Sequence, residues 1–280
     1  MDERKNVVIT GAASGLGRAI ALSLAKRGWR ILVSDINMAG SKITLEMVEK
    51  AGGEGETFEC DVTKLDDIRR MADFAFKKWN RIDLLVNNAG VAAGGIVGDI
   101  PMEDWHWIVN TNFWGMLYGC HEFVPRMKSQ GGGHIVNVSS AAGFVSLPEM
   151  ASYNVTKAAI ISLSETLKSE LAPHNIGITV VCPTFFKTNL LETMRYTDEF
   201  QKMFAETAFE NGRLSAEKIA EMTVRAVEKN KLYLIPQVVG KVQWVMKRFS
   251  PSRYYKNMAF MNRRSSFREM ALKMARWGLT

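Results

Sequence analysis

The sequence predicts an α/β protein: a doubly wound parallel sheet of about seven strands in a single domain, with a helical C-terminal extension. Three observations predict it. Strand-like and helix-like segments alternate along the 280 residues. The strands are nearly continuous apolar runs, such as Leu84-Leu85-Val86 and Ile178-Thr179-Val180-Val181, which suit a parallel sheet covered on both faces. A glycine-rich turn, Thr10-Gly11-Ala12-Ala13-Ser14-Gly15-Leu16-Gly17, directly follows the run Val7-Val8-Ile9.

Taken in order, Val7-Val8-Ile9 centres a strand over 6–10, and the glycine turn opens a helix over 15–28. A strand over 30–34 ends at Asp35, and a helix fits 39–51. Strands at 55–60 and 82–86 flank a helix at 64–79. A long helical pattern covers 102–129, and Gly131-Gly132-Gly133 marks a turn before a strand at 133–138. A helix at 151–173 leads to a strand at 176–182. Residues 184–213 then break the rhythm and are rich in Phe, Met, Leu and Tyr. Ligands of open α/β sheets bind at the carboxyl ends of the strands, so this long connection is a candidate lid. A helix at 215–229 and a strand at 231–235 complete the sheet. Right-handed crossovers make the arrangement Rossmann-like. The organisation expected is a catalytic, dinucleotide-binding domain over 1–236 and a basic amphipathic extension over 237–280.

Composition narrows the class. No apolar run approaches the ~18 residues of a membrane span. Met1-Asp2-Glu3-Arg4-Lys5 is charged and leads into a strand, so no signal peptide is expected. Cys60, Cys120 and Cys182 are odd in number and widely spaced in apolar settings; they read as reduced core thiols of a cytoplasmic protein. The four histidines, at 106, 121, 134 and 174, are scattered, and no His/Cys/Asp cluster offers a metal site. The net charge of +7 is unevenly placed. Residues 241–280 hold ten Lys/Arg and one acid, Glu269, leaving 26 basic and 28 acidic side chains for the rest. A near-neutral body with a basic tail gives no support to nucleic-acid binding.

Two features carry chemistry on their own. The glycine turn lets a bulky ligand approach the backbone, and the helix behind it points free N–H groups and a positive dipole end at that gap. A diphosphate suits it, with Gly11, Ser14, Gly15, Leu16 and Gly17 as the cradle. Asp35 lies 24 residues after Gly11, where a carboxylate accepts from the hydroxyls of an adenosine ribose and repels a 2′-phosphate. NAD is therefore expected over NADP. Arg18 lies just past the glycine turn and is expected to face solvent. Tyr153 and Lys157 stand four residues apart on one helix face. A fixed ammonium near a phenol stabilises the phenolate and lowers its pKa from ~10.

These features combine with Asn87-Asn88-Ala89-Gly90, with Asn112-Phe113-Trp114-Gly115, and with Ser139-Ser140 thirteen residues before Tyr153. In kind, order and spacing the set resembles the short-chain dehydrogenase/reductase family over about residues 5–236. The resemblance implies that Tyr153 is the catalytic acid/base and that Lys157 lowers its pKa and holds the nicotinamide ribose. It implies that Ser140 binds the substrate oxygen and that Asn112 holds a water linking Lys157 to solvent. It further implies that Asp61 and Val62 contact adenine, that Asn88, Ala89 and Gly90 wall the cofactor cleft, and that Pro183 and Thr188 bracket the nicotinamide carboxamide. The family often has Gly where this chain has Thr184, a change that could reshape the substrate mouth.

The function expected is NAD(H)-dependent interconversion of a secondary alcohol and a ketone. Leu190, Leu191, Met194, Tyr196, Phe200, Met203 and Phe204 in the lid point to an apolar substrate. Alternatives are an NADPH-dependent ketoreductase and a non-catalytic scaffold on the same fold. The family's habit of pairing through the long helices after the fourth and fifth strands implies a homodimer or homotetramer, and Trp105, Phe113, Trp114 and Phe123 suit that. In the tail, Val238, Val242, Val245 and Phe249 share one face, as do Phe267, Met270, Met274 and Trp277. Both faces are expected to be buried, by packing on the body, covering the substrate mouth, filling an oligomer interface, or meeting an anionic membrane at whose inner face the protein would lie peripherally.

Overall fold

The computed structural model describes residues 4–264 and 266–280; Met1-Asp2-Glu3 of the charged start lies outside the described residues. Seven strands form one all-parallel sheet in the order β3-β2-β1-β4-β5-β6-β7. They are β1 Asn6–Thr10, β2 Arg30–Asp35, β3 Glu54–Glu59, β4 Leu84–Asn87, β5 Gly133–Val138, β6 Ile176–Val181 and β7 Tyr233–Leu234. The chain reverses its winding between β1 and β4, which pair with Val7 opposite Leu84. Connections leave the two strands toward opposite sides there, opening the crevice in which such sheets bind ligands.

Burial explains which strands the sequence marks clearly. β1, β4 and β6 are buried along their whole length, so they read as apolar runs. β3 is Glu-Gly-Glu-Thr-Phe-Glu and only half-buried, because it is a sheet edge where charged side chains meet water. β7 is the opposite edge and shrinks to two residues.

Helices cover both faces. On one side α1 Gly15–Ala25, α2 Met38–Lys50 and α9 Ala216–Glu228 pack with the sheet around Ile9, Ile20, Leu24 and Val33. On the other lie α3 Leu65–Trp79, α5 Gly115–Ser129 and α7 Ala151–Glu170, around Val8, Met71, Phe123 and Ile178. The remaining helices are α4 Met102–Val109, α6 Ala142–Val145, α8 Glu199–Glu210, α10 Val238–Phe249, α11 Pro251–Asn262 and α12 Phe267–Arg276. Among the described residues no helix is long and apolar enough to cross a membrane.

The structure refines the sequence reading in three places. The helical segment over 102–129 is unbroken but not uniform: a π-helical turn, Asn110–Trp114, joins α4 to α5. One extra residue per turn re-aims the side chains on it, a device common at functional sites. The extension holds three helices and not two, since Ser250-Pro251 starts α11 with proline in its first turn. The body does not cover the Val238, Val242, Val245 and Phe249 face: all four are exposed, which leaves a partner copy or a membrane among the expected covers. Helix α10 packs by its opposite side. Gly240 sits over Thr184 and Ile235, where a Cβ would come within 3.1 Å of each, and Trp244 stacks on Tyr233.

Phe123 is also misplaced by the sequence reading. It is fully buried among Phe76, Met127 and the sheet and is unavailable to a partner, whereas Trp114 is 40% exposed. Phe123→Ala is therefore expected to lower unfolding stability by about 3–5 kcal/mol. Urea denaturation would show it. Unchanged stability with a changed oligomer mass would return Phe123 to an interface.

Candidate active site

The loops leaving β1, β4, β5 and β6 meet over a cavity of about 970 Å³, at the upper end for small-molecule sites. Its floor is the glycine turn. Gly11 has φ +65°, and a Cβ there would lie 2.7 Å from Ala89 Cα. A Cβ on Gly17 would lie 2.3 Å from the Gly11 carbonyl oxygen, so α1 packs on the turn only through glycine. Asn88 locks this arrangement: its Nδ2 donates to the carbonyls of Thr10 and Gly11 at 3.0 and 2.9 Å. The Asn88 and Ala89 N–H groups donate to Thr10 Oγ1.

Ser14 is the N-cap of α1, yet its side chain makes no cap hydrogen bond. The first-turn N–H groups therefore meet the cavity without a protein partner from that cap, beside Ser14, Gly15 and Leu16. This cradle fits a dinucleotide diphosphate. Thr188 reaches it from the β6 side, its Oγ1 3.2 Å from where a Gly15 Cβ would be. It also caps a short turn by accepting from Leu190 N–H at 3.0 Å.

At the far end of the crevice, Asp35 lines the cavity with Ile36, Asp61, Val62 and Thr63. Ala13 N–H donates to its Oδ2 at 3.0 Å and Asn37 N–H to its Oδ1 at 2.9 Å, which fixes the carboxylate. Arg18 does not face solvent as expected. It folds back onto Thr44 and the Ala13 carbonyl and is not among the lining residues. Burial acts to raise the Asp61 pKa, but hydrogen bonds from Thr63 and Lys64 outweigh it and hold the group below its ordinary value.

The centre is built from α7 and the ends of β4 and β5. Tyr153 and Lys157 are buried, at 8% and 4% exposure, on successive turns of α7. Lys157 Nζ donates to the Val138 carbonyl at 3.1 Å and stands 5.6 Å from the Tyr153 ring centroid. Burial pushes the Tyr153 phenol up to about 12, with a Ser140 hydrogen bond pulling the other way. Burial likewise pushes Lys157 down to about 8. Burial therefore favours the neutral phenol in the cofactor-free site.

The two neighbouring serines divide their work. Ser139 Oγ donates to the Lys157 carbonyl at 2.7 Å and is buried. Ser140 Oγ accepts from Ala142 N–H and donates to the Pro183 carbonyl at 3.3 Å, on the cavity wall beside Tyr153. Asn112 sits in the π turn, fully buried. Its Oδ1 accepts from Val91 N–H at 2.8 Å, and its Nδ2 donates to the Val91 carbonyl and to Thr156 Oγ1. A Cβ on Gly90 would touch both Asn112 Oδ1 and Lys157 Nζ, so these two side chains flank the same bare backbone. Of the expected catalytic and cofactor-binding residues, all except Asn112 and Gly17 line the cavity; those two lie behind it.

The rest of the cavity is mostly apolar. Leu190, Leu191, Met194 and Phe204 of the lid line it, Phe200 lines a smaller adjoining hollow, and Tyr196 and Met203 line neither. The roof comes from the extension, for which covering the substrate mouth is one of the expected roles: Met270 and Met274 of the expected apolar face line it, together with Met246, Met258 and Met261. Their i, i+3 and i, i+4 spacing was a readable signal. Glu149, held at φ +62°, ties roof to lid. It accepts from Arg268 on both oxygens at 3.1 and 2.9 Å and from Gln201 of α8, while Arg268 also pairs with Asp198 at the start of α8. Thr184, the departure from the family pattern, donates its N–H to Gln237 Oε1 at 3.0 Å, joining the β6 loop to α10.

The charged lining residues are Asp35, Asp61, Lys157 and Glu192. The three cysteines are buried and free, and burial raises each thiol to about 12. His134, held at about 4 by burial, bonds Thr179 at 2.8 Å and serves the sheet. Among the described residues no cluster of His, Cys, Asp or Glu could hold a metal ion.

Comparison with known proteins matches residues 5–199 to the family model described as short chain dehydrogenase. A 3-oxoacyl-acyl-carrier-protein reductase of Thermotoga maritima is 32% identical over 85% of this chain and 96% of its own. A CLA biosynthesis dehydrogenase/reductase of Lactiplantibacillus plantarum is 33% identical over 82% and 87%. The crystal structure of a short chain dehydrogenase/reductase from Burkholderia phymatum in complex with NAD superposes with a TM-score of 0.85 at 29% identity. It covers 89% of this chain and 95% of that one.

The buried lysine has a consequence for stability. Its folded pKa of about 8 lies below the ordinary 10.5. The unfolded chain binds more protons between those values, so stability rises with pH through that window and the burial cost is complete below it. Lys157→Met is expected to stabilise the cofactor-free protein at neutral pH by up to roughly 3 kcal/mol, a gain that fades toward about pH 10. Chemical denaturation at the two pH values checks this; equal destabilisation at both would contradict it.

Proposed function

From a chain that belongs to the short-chain dehydrogenase family of oxidoreductases, we propose an NAD(H)-dependent enzyme that interconverts an apolar secondary alcohol and a ketone. The observation that carries the reading is the convergence of Tyr153, Lys157 and Ser140 at the junction between the glycine-lined cleft and the methionine-lined chamber.

The uncapped start of α1 would hold the diphosphate, and Asp35 the adenosine ribose, with Asp61 and Val62 beside the adenine. Arg18 does not line the cavity and so offers no charge to a 2′-phosphate there, which supports NAD over NADP. When bound, the dinucleotide supplies or accepts the hydride. In ketone reduction, Ser140 Oγ hydrogen-bonds the carbonyl oxygen and orients it toward Tyr153. The phenol, neutral in the free site, gives its proton to that oxygen as the carbinol forms. Lys157 then faces the phenolate and stabilises it. In alcohol oxidation the same groups act in reverse, with the phenolate as base. Asn112 would hold the water that reconnects Lys157 to solvent through its backbone, since Val91 and Thr156 occupy its carboxamide.

The substrate follows from the chamber. Apart from Glu192 its lining beyond Tyr153 carries no charged side chain, so a carboxylate or phosphate on the substrate would find no partner. Methionines adapt to irregular apolar shapes. The reaction printed in the name of the Thermotoga relative, reduction of a 3-oxoacyl group, is itself a ketone reduction. A panel of apolar ketones and secondary alcohols with NADH and NAD, read by nicotinamide absorbance, tests the reading; no turnover across chain lengths would overturn it.

Tyr153→Phe removes the oxygen that moves the proton while the cofactor is held elsewhere. It is expected to abolish turnover and leave NAD affinity within about twofold. Substantial activity in the purified variant would contradict the assignment. Asp35 is expected to make kcat/KM with NAD exceed that with NADP by roughly a hundredfold or more. Asp35→Ala should narrow that gap. Equal use of both cofactors by the unmodified enzyme would place Asp35 away from the ribose.

A further inference from the structure

Helix α10 turns its apolar stripe outward. Val238, Val242, Val245 and Phe249 are 73%, 51%, 56% and 92% exposed, and they run about 16 Å along one face at 1.5 Å per residue. A continuous row of this kind, left in water, marks a surface that meets another phase or partner. Lys241 and Arg248 border it at helical spacing. Across residues 241–280 ten Lys/Arg face one acid. Among the described residues, only Arg268 of those ten makes ion pairs with carboxylates; Lys247, Arg248 and Arg264 lie over the Tyr255, Trp244 and Phe260 rings, which leaves their charge unneutralised.

An apolar ridge in a basic field matches acyl chains beneath anionic headgroups. It does not match a second copy of the chain. Two such tails face to face would set like charges against each other.

We propose that α10 is a docking helix that seats the protein on an anionic lipid bilayer, with Val242, Val245 and Phe249 inserted below the headgroups and Lys241 and Arg248 at their level. The cavity opens beside this face. Met246, on α10 itself, is 55% exposed and lines the cavity, as do the partly exposed Met270 and Met274 of α12. If the reading of the cavity as an apolar alcohol or ketone site holds, docking brings its mouth to the phase in which such a substrate dissolves.

The test is co-sedimentation of the full-length protein with phosphatidylcholine vesicles, with and without phosphatidylserine. Binding is expected to the anionic vesicles only. It should be released as salt rises from about 0.1 to about 1 M, which shortens the screening length from about 10 to about 3 Å. The double variant Val242→Glu/Phe249→Glu changes only exposed side chains outside the cavity lining. It should bind anionic vesicles about tenfold or more weakly while keeping the circular dichroism and NAD affinity of the unmodified protein. Sedimentation reads docking without reference to turnover, so an inactive chain that still binds vesicles would fail the functional reading and leave docking intact. Failure of the unmodified protein to bind anionic vesicles, or equal binding by the double variant, would overturn the proposal. So would loss of a dimer in the double variant without any vesicle binding, which would assign the stripe to a second copy.

Discussion

The burial of a phenol and an ammonium on successive turns of one helix is the constraint around which this structure is arranged. Taking Lys157 out of water is costly, and a contact at the end of β5 offsets part of that cost while its neighbours fix the Lys157 backbone. The carbonyl of Val138, at the end of β5, receives the ammonium. Ser139, the next residue, ties its hydroxyl to the Lys157 carbonyl. Helix α6 lies so close that a Cβ on Gly143 would meet that same carbonyl group at 2.7 Å. Strand ends, a short helix and the π turn around Asn112 therefore converge on a single turn of α7. The sheet order makes this possible, because the ends of β1, β4, β5 and β6 stand side by side at the reversal point.

Much of this was legible in the sequence, for identifiable reasons. Central parallel strands are covered on both faces, so they show as Val/Ile/Leu runs; the edge strand β3, with three glutamates, does not. The glycine turn is visible because Gly11 and Gly17 stand where backbone approaches backbone. The choice of Ser140 over Ser139 rests on spacing; both serines line the cavity, Ser139 with its hydroxyl bonded to the Lys157 carbonyl and Ser140 with its hydroxyl on Pro183 and Ala142. The π turn was not legible, because one inserted residue hardly disturbs a helical period. An amphipathic pattern says which side of a helix is apolar but not which side packs. In α10 a glycine at position 240 decided that, drawing the opposite side onto Thr184 and Ile235. Phe123 likewise shows an aromatic pattern without showing whether its partners belong to the same chain.

The chamber beyond Tyr153 is assembled from distant parts of the sequence, and that explains why motifs alone do not place its roof. Methionines of α10, α11 and α12 close over the lid residues of α8 and the loop before it. The closure is fastened by Arg268, which bridges Glu149, just ahead of the catalytic helix, and Asp198, at the cap of α8. Roof and lid are thereby tied through Arg268 to the start of α7. The extension is part of the site and not an appendage to it, since Thr184 and Gln237 join the β6 loop directly to the start of α10.

The central claim is that burial holds Tyr153 as a neutral phenol beside Lys157, poised to give a proton. Its most direct measurement is the titration of Tyr153 in the free protein, followed by the ring-carbon resonance of labelled tyrosine and assigned with Tyr153→Phe. The protein has six tyrosines, which keeps the spectrum simple. The account predicts that the Tyr153 resonance is still unmoved near pH 10, where an ordinary tyrosine is half ionised, and that it titrates toward about 12. A midpoint at or below about 10 would contradict it.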